Sequence, residues 1–338
     1  MRKLLYALAA SLLLVTSWAH AQPELRSDHP ERYTVVKGDT LWDISARFLN
    51  NPWYWPEIWH VNPQVQNPHL IYPGDRLALV YIDGKPRVTK VASNDVVKLS
   101  PKVRSEAIDT PIPAIPLDAI SSFLTDTRIV SVEEINAAPY VLEGEDGRII
   151  TGAGDRVYAR GEKPADKVGI FRRSKQFLDP ETGEFLGLEA RSIAKGEVTA
   201  ENGDVLTLNL TNSSEEVRIG DRLLTSEDRR LTTNFVPSAP DGDIEGEMIS
   251  VEGGVSQIGQ FDVVALNRGE REGLKAGNVM AVLKSGNVVR DPVTNENIQL
   301  PSERAGLLMV FQTYEKMSYG LILQATRPLS VGDKVTNP

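Results

Sequence analysis

The chain has no cysteine among its 338 residues. That absence excludes a thiol-linked lipid anchor, a disulfide framework and thiol nucleophiles together. Histidine is nearly as scarce, with His20, His29, His60 and His69 only, so none is available in the C-terminal three-quarters for a histidine-built metal site. His60 and His69 lack the three-to-five-residue spacing and the cysteine partners of a zinc pair, so no metal is expected. No tryptophan follows Trp59, and no long apolar run follows the first eighteen residues. Net charge of one sign is not lacking, because the formal charge is −9. An acidic balance argues against nucleic acid and anionic lipid as partners.

Residues 1–21 read as an address. Met1-Arg2-Lys3 precedes an apolar run from Leu4 to Trp18 and then Ala19-His20-Ala21, the pattern of a secretory signal with a small-residue cleavage site. The run is too short for a membrane anchor, and its removal takes two positive charges with it. The mature protein is expected in the periplasm.

Residues 33–81 form the densest signal. Tyr33 to Lys37 is a β-branched and aromatic run that ends at Gly38-Asp39, which reads as a strand and a turn. Thr40 with Asp43 has helix-cap spacing, and Leu41, Ile44 and Phe48 share a helical face, predicting a helix to about Asn50. Pro56 suits the first turn of a second helix, Glu57 its positive end, and Asn62-Pro63 its stop. Pro73-Gly74 suits the centre of a tight turn, after which Leu77 and Leu79 alternate with Arg76 and Ala78 in a closing strand.

This βααβ order, with YTVVKGDTLWDIS, VNP and IYPGDRLAL, resembles the LysM family of peptidoglycan- and chitin-binding modules. The resemblance implies that N-acetylglucosamine lies between the first strand–helix loop, Gly38, Asp39, Thr40 and Leu41, and the loop Asn62, Pro63, Gln64 and Val65. Such residue types suit an acetamido sugar: glycine admits close backbone approach, backbone groups bond the amide, and apolar side chains cover the methyl. The competing reading makes Gly38 and Asp39 a turn and Leu41 core. An aromatic insertion, NNPWYWPEIW, departs from the family. Trp53 and Trp55 are candidates for an aromatic contact surface or for extra core, and Trp59 for core, in a domain near the size where a core is marginal.

Beyond residue 81, short Val/Ile/Leu runs broken by Gly, Asp, Asn and Pro predict mainly β structure, so the fold class is α+β. Residues 82–125 read as a linker, with a Pro-rich spacer at 110–118 and a short helix near 117–124. Two β units, 126–236 and 237–338, follow from an internal echo. GAGDRVYARG parallels GQFDVVALNRG, LDPETGE parallels RDPVTNE, and IGDRLL parallels VGDKV, the last two pairs at a common offset. Gly-Asp at 74, 154, 220 and 332 reads as turn punctuation, and Asp179 and Asp291 as hairpin tips rather than calcium sites.

The aromatic LysM, NPHLIYPGD, PLDAISSFL, GAGDRVYARG and LDPETGEFLGLEA together resemble the TsaP family of secretin-associated proteins of the type IV pilus machinery. The resemblance implies a LysM that grips peptidoglycan, a C-terminal domain like that of the flagellar protein FlgT, and an outer-membrane secretin as partner, with several copies around its ring. It implies no cofactor and no catalysis. Two alternatives stand beside it: a carbohydrate-active wall enzyme whose carboxylates act on glycan, and an outer-membrane accessory of a flagellar motor.

Overall fold

The computed structural model describes residues 23–59, 71–91, 113–117, 119–120, 127–226, 235–252, 257–286 and 288–338, with Gln299 described by its backbone alone. The chain divides into two compact units, Met1–Thr110 and Pro111–Pro338. No helix among the described residues is long and apolar enough to cross a membrane.

In the first unit, β1 (Arg32–Thr34), α1 (Leu41–Phe48), a 3-10 turn (Pro52–Tyr54), α2 (Trp55–Ile58), β2 (Arg76–Ile82) and β3 (Lys85–Val91) follow in order. The strands make one antiparallel sheet, β1-β2-β3, with Tyr33 opposite Leu77. Thr40 caps α1 as its sequence predicts: Oγ1 accepts from Asp43 N at 3.1 Å and donates to Asp43 Oδ2 at 2.7 Å. Leu41, Trp42, Ile44 and Phe48 turn inward onto one core.

Three expectations are corrected here. The second helix does not reach Asn62 but stops at Ile58, because Trp59 becomes extended and bridges to Val88. The partner of that bridge, β3, lies in what reads as linker. Asp83 and Gly84 both take positive φ, 51° and 75°, and close a tight hairpin from β2 to β3. The Arg87 guanidinium then donates to the Glu57 carbonyl, so β3 pins the aromatic insertion from outside the βααβ frame. The Pro-rich stretch is not a free spacer either. Ala114 and Ile115 are buried and belong to the second unit, and residues 119–120 are helical, within the short helix expected near 117–124.

The second unit holds two barrels. The first is built from β5 (Tyr140–Gly144), β7 (Arg156–Arg160), β8 (Lys167–Leu178), β9 (Phe185–Asn202), β10 (Val205–Ser213) and β12 (Arg222–Thr225). Pairing of β10 with both β7 and β9 closes these six into a ring. β4 (Thr127–Val130) adds to the flank of β9, and the short pair β6 (Ile150–Thr151) and β11 (Val217–Arg218) lies apart from the ring. The helix α3 (Val132–Ala137), capped by Ser131, buries Ile135 with Val130, Leu188 and Leu224. Inside the ring sit Val157, Ile170, Ile193, Leu206, Leu208 and Leu223.

The second barrel is closed by β13 (Gly246–Val251), β14 (Val263–Leu266), β15 (Val279–Lys284), β18 (Glu303–Thr313), β19 (Ser318–Ala325) and β20 (Lys334–Thr336), while β16 (Val288–Arg290) and β17 (Asn297–Gln299) form an arm between β15 and β18. Numbered one to six by sequence, the strands of both barrels run 1-2-5-4-3-6 around the ring. Asp179 and Asp291 each lie between the third and fourth strands of their barrel, and Gly220 and Gly332 each precede the sixth.

One turn recurs through both units. Gly74, Gly154, Gly220 and Gly332 take φ between 90° and 94°, and each following aspartate accepts the backbone N–H three residues before it, at 2.8–3.0 Å. Glycine removes the Cβ penalty at that φ, and the carboxylate fixes the corner that launches the next strand.

The β8–β9 hairpin reaches onto the second barrel. At its tip Asp179 is buried; Oδ1 accepts from Glu181 N and Thr182 N at 2.9 Å, and Oδ2 from Asn267 Nδ2 at 2.9 Å. Burial pushes this carboxyl up, but those donors together hold it below the usual carboxylate range. Glu184 sits between Arg271 and Lys316, 2.9 and 2.8 Å away, and these cations bring it down to about 2. A depressed carboxyl contributes stability that is complete above its ordinary range and lost as pH falls toward the folded value. The denaturation midpoint of the barrels should therefore fall between about pH 4.5 and pH 2, and less so in Glu184→Gln. An identical fall in both proteins would show that this contact does not sense acid.

Candidate glycan-binding site

The proposed groove can be followed on one side only. Gly38 has φ 98°, and a Cβ built there would meet nothing within 4 Å. Asp39 is buried and repeats the turn seen in the barrels: its Oδ2 accepts Val36 N at 2.8 Å and the Tyr33 hydroxyl at 2.9 Å. Tyr33 in turn lies under the Arg47 guanidinium, 4.7 Å from ring centroid to Cζ. Thr40 is occupied by the helix cap, and the Leu41 side chain is buried in the core. Of this loop, then, Gly38 is exposed, whereas Asp39, Thr40 and Leu41 are buried. Asn62, Pro63, Gln64 and Val65 lie outside the described residues, as do His60 and His69.

Trp53 and Trp55 are buried, so they serve as core and do not present a contact surface. Trp55 meets Trp59 edge-on, with centroids 6.5 Å apart and planes at 88°, and Trp53 lies against Tyr54 at 5.4 Å. The reason is size: a small module without a disulfide gains most by placing its largest apolar side chains inside. Val36, passed over in the sequence, is exposed beside Gly38. Its signal was the alternation with buried Val35, which leaves an apolar residue on the open side of the turn.

Among the described residues, no group of three or more His, Cys, Asp or Glu side chains is placed to hold a metal ion. The strand–turn–capped-helix corner, the Pro73-Gly74-Asp75 turn and the β1–β2 pairing have the order of one known module. Residues 33–79 match the LysM domain. The LysM here accounts for the glycan-binding half of the reading, since LysM domains bind N-acetylglucosamine-containing glycans such as peptidoglycan and chitin and are not catalytic. A stretch of 60 residues is 38% identical to the uncharacterized protein YqbP of Bacillus subtilis (strain 168). That stretch takes in 15% of this chain and 27% of the relative.

The LysM corner yields a sharp expectation. Valine at a φ of 98° is strained by about 1–3 kcal/mol although its side chain has room. Gly38→Val should reshape the loop and weaken binding to sacculi, and Gly38→Asn, which tolerates such a turn position, should weaken it less. Equal sedimentation of all three proteins with sacculi would count against this loop as a binding edge.

Proposed function

We propose that this chain is a non-catalytic periplasmic protein that binds peptidoglycan through its LysM and ties or aligns an outer-membrane secretin of the type IV pilus machinery to the wall. The LysM match over residues 33–79 is the observation that carries the wall-binding half. The loop Gly38, Asp39, Thr40 and Leu41, together with Asn62, Pro63, Gln64 and Val65, is its proposed edge. The secretin half rests on the resemblance of most of the mature chain to the TsaP family, with residues 237–338 as the FlgT-like part.

A single shallow groove that engages a few sugar atoms binds weakly, because association entropy offsets a small contact. Several copies on one ring raise the effective concentration of each module, and avidity then exceeds single-site affinity by about 10² to 10⁴. A pull-down from envelope extract tests the partner. The mature chain, and a form lacking residues 23–91, should both recover a secretin. Recovery by neither would remove the secretin from this account, and loss on deleting the LysM would place the contact in the wrong unit.

A further inference from the structure

The two barrels share a ring order but not the fate of their corresponding hairpins. In the first barrel the hairpin between strands three and four carries Asp179-Pro180 at its tip, and that tip docks on the rim of the second barrel at Asn267 and Arg268. Phe177, two residues before the aspartate, is 5% exposed and meets the Tyr319 ring edge-on at 6.3 Å. Leu186, seven residues after it, is 6% exposed.

In the second barrel the same hairpin is the β16–β17 arm, with Asp291-Pro292 at its tip. The turn is built alike: Asp291 Oδ1 accepts Val293 N at 2.7 Å, and Asn295, with φ 66°, stands where Gly183, with φ 72°, stands in the first. Glu296 takes the place of Glu184. Yet the residues corresponding to Phe177 and Leu186, namely Val289 and Ile298, are 39% and 44% exposed, and Val293 at the tip is 89% exposed. Among the described residues the hydrogen bonds of Asp291, Val293, Thr294 and Asn295 run only within the tip.

An arm with three exposed branched apolar side chains on a β-hairpin is a poor solvent-facing surface and a good docking element. The internal contact says what it docks on. The rim of the second barrel is already occupied by the first hairpin, whereas in the first barrel Arg160 stands where Arg268 does, exposed, with Asp204 at 2.7 Å as its partner, and Ala159 stands where Asn267 does. We propose that the β16–β17 arm docks on the first-barrel rim at Arg160 of a second copy of this chain, repeating between molecules the aspartate–arginine half of the contact that joins the barrels within one. Asp291 then approaches Arg160 as Asp179 approaches Arg268, and Val289, Val293 and Ile298 are covered. Donor and acceptor are different surfaces, so the contact is head-to-tail and yields a closed ring or an open filament according to the rotation between copies. This inference is independent of the secretin reading.

The mature chain should sediment as a concentration-dependent series of oligomers. Val293→Asp with Ile298→Asp, both at exposed positions and therefore compatible with the native fold by far-UV circular dichroism, should raise the dissociation constant at least about 100-fold. Arg160→Glu should weaken association from the other side. Because the chain has no cysteine, polarity can be read directly: copies carrying Val293→Cys mixed with copies carrying Glu162→Cys should form the 293–162 disulfide. A monomer at every attainable concentration overturns the proposal, including when the arm captures some other protein instead. So does native-strength association of the double aspartate variant, and a 293–293 disulfide without the 293–162 species overturns the head-to-tail contact.

Discussion

Replacing Trp55 by alanine is expected to unfold the LysM module while leaving the barrels intact. Trp55 is buried against Trp59, and removing a large aromatic side chain from a core costs about 3–5 kcal/mol. A core of this size rarely supplies more than about 3–5 kcal/mol in all, so one substitution consumes the margin. The measurement is unusually clean, because past the leader every tryptophan lies between Trp42 and Trp59. Tryptophan emission therefore reports the module alone, and far-UV circular dichroism is dominated by the barrels. Emission should shift to the red in Trp55→Ala, β-sheet signal should stay, and sacculus binding should disappear. Unshifted emission together with lost binding would instead make Trp55 a ligand contact.

Asp221→Ala should cost the first barrel about 3 kcal/mol. Asp221 is buried at the turn before β12 and has two duties. Its Oδ2 accepts Arg218 N at 2.8 Å, and its two oxygens take Arg172 Nε at 2.9 Å and Nη2 at 2.8 Å in a paired contact. Arg172 is raised, first by that bond, so it stays charged, and alanine leaves it short of its main partner in a low-dielectric setting. Asp221→Asn keeps an acceptor for the turn but not the charge and should lose less. Equal denaturation midpoints for native and Asp221→Ala protein would mean that Glu215 and the Glu216 carbonyl, the other acceptors of Arg172, suffice.

What could be read beforehand was local chemistry. Thr40 with Asp43, Pro73-Gly74 and the Gly-Asp corners were legible because a cap or a turn is decided by residues three apart. The tips at Asp179 and Asp291 were legible for the same reason. What was not legible depends on partners far along the chain. Trp53 and Trp55 carry the same composition whether they face a core or a sugar, and only the fold around them decides. The helix after Pro56 continues by periodicity, yet Trp59 leaves it to bridge Val88, thirty residues on. The strand from Lys85 was hidden by charge, although Asp83-Gly84 was a sufficient hairpin signal. Ile115 was overlooked among prolines. The asymmetry of Asp179 and Asp291 was beyond reach, since their flanking residues differ little and the neighbouring rim does not.

The site itself was legible as a family and less so as atoms. Gly38 is exposed at a positive φ, whereas Asp39, Thr40 and Leu41 turn their side chains to the turn, the cap and the core.

The central claim is that this protein holds the cell wall through its LysM and does not cut it. Co-sedimentation of the mature chain with purified sacculi, with N-acetylglucosamine oligomers as competitor and the supernatant assayed for muropeptides, measures both halves at once. The account predicts protein in the pellet, release by the competitor, loss of binding when residues 23–91 are removed, and no soluble muropeptide. Protein left in the supernatant, or wall fragments released by the native chain, would contradict it.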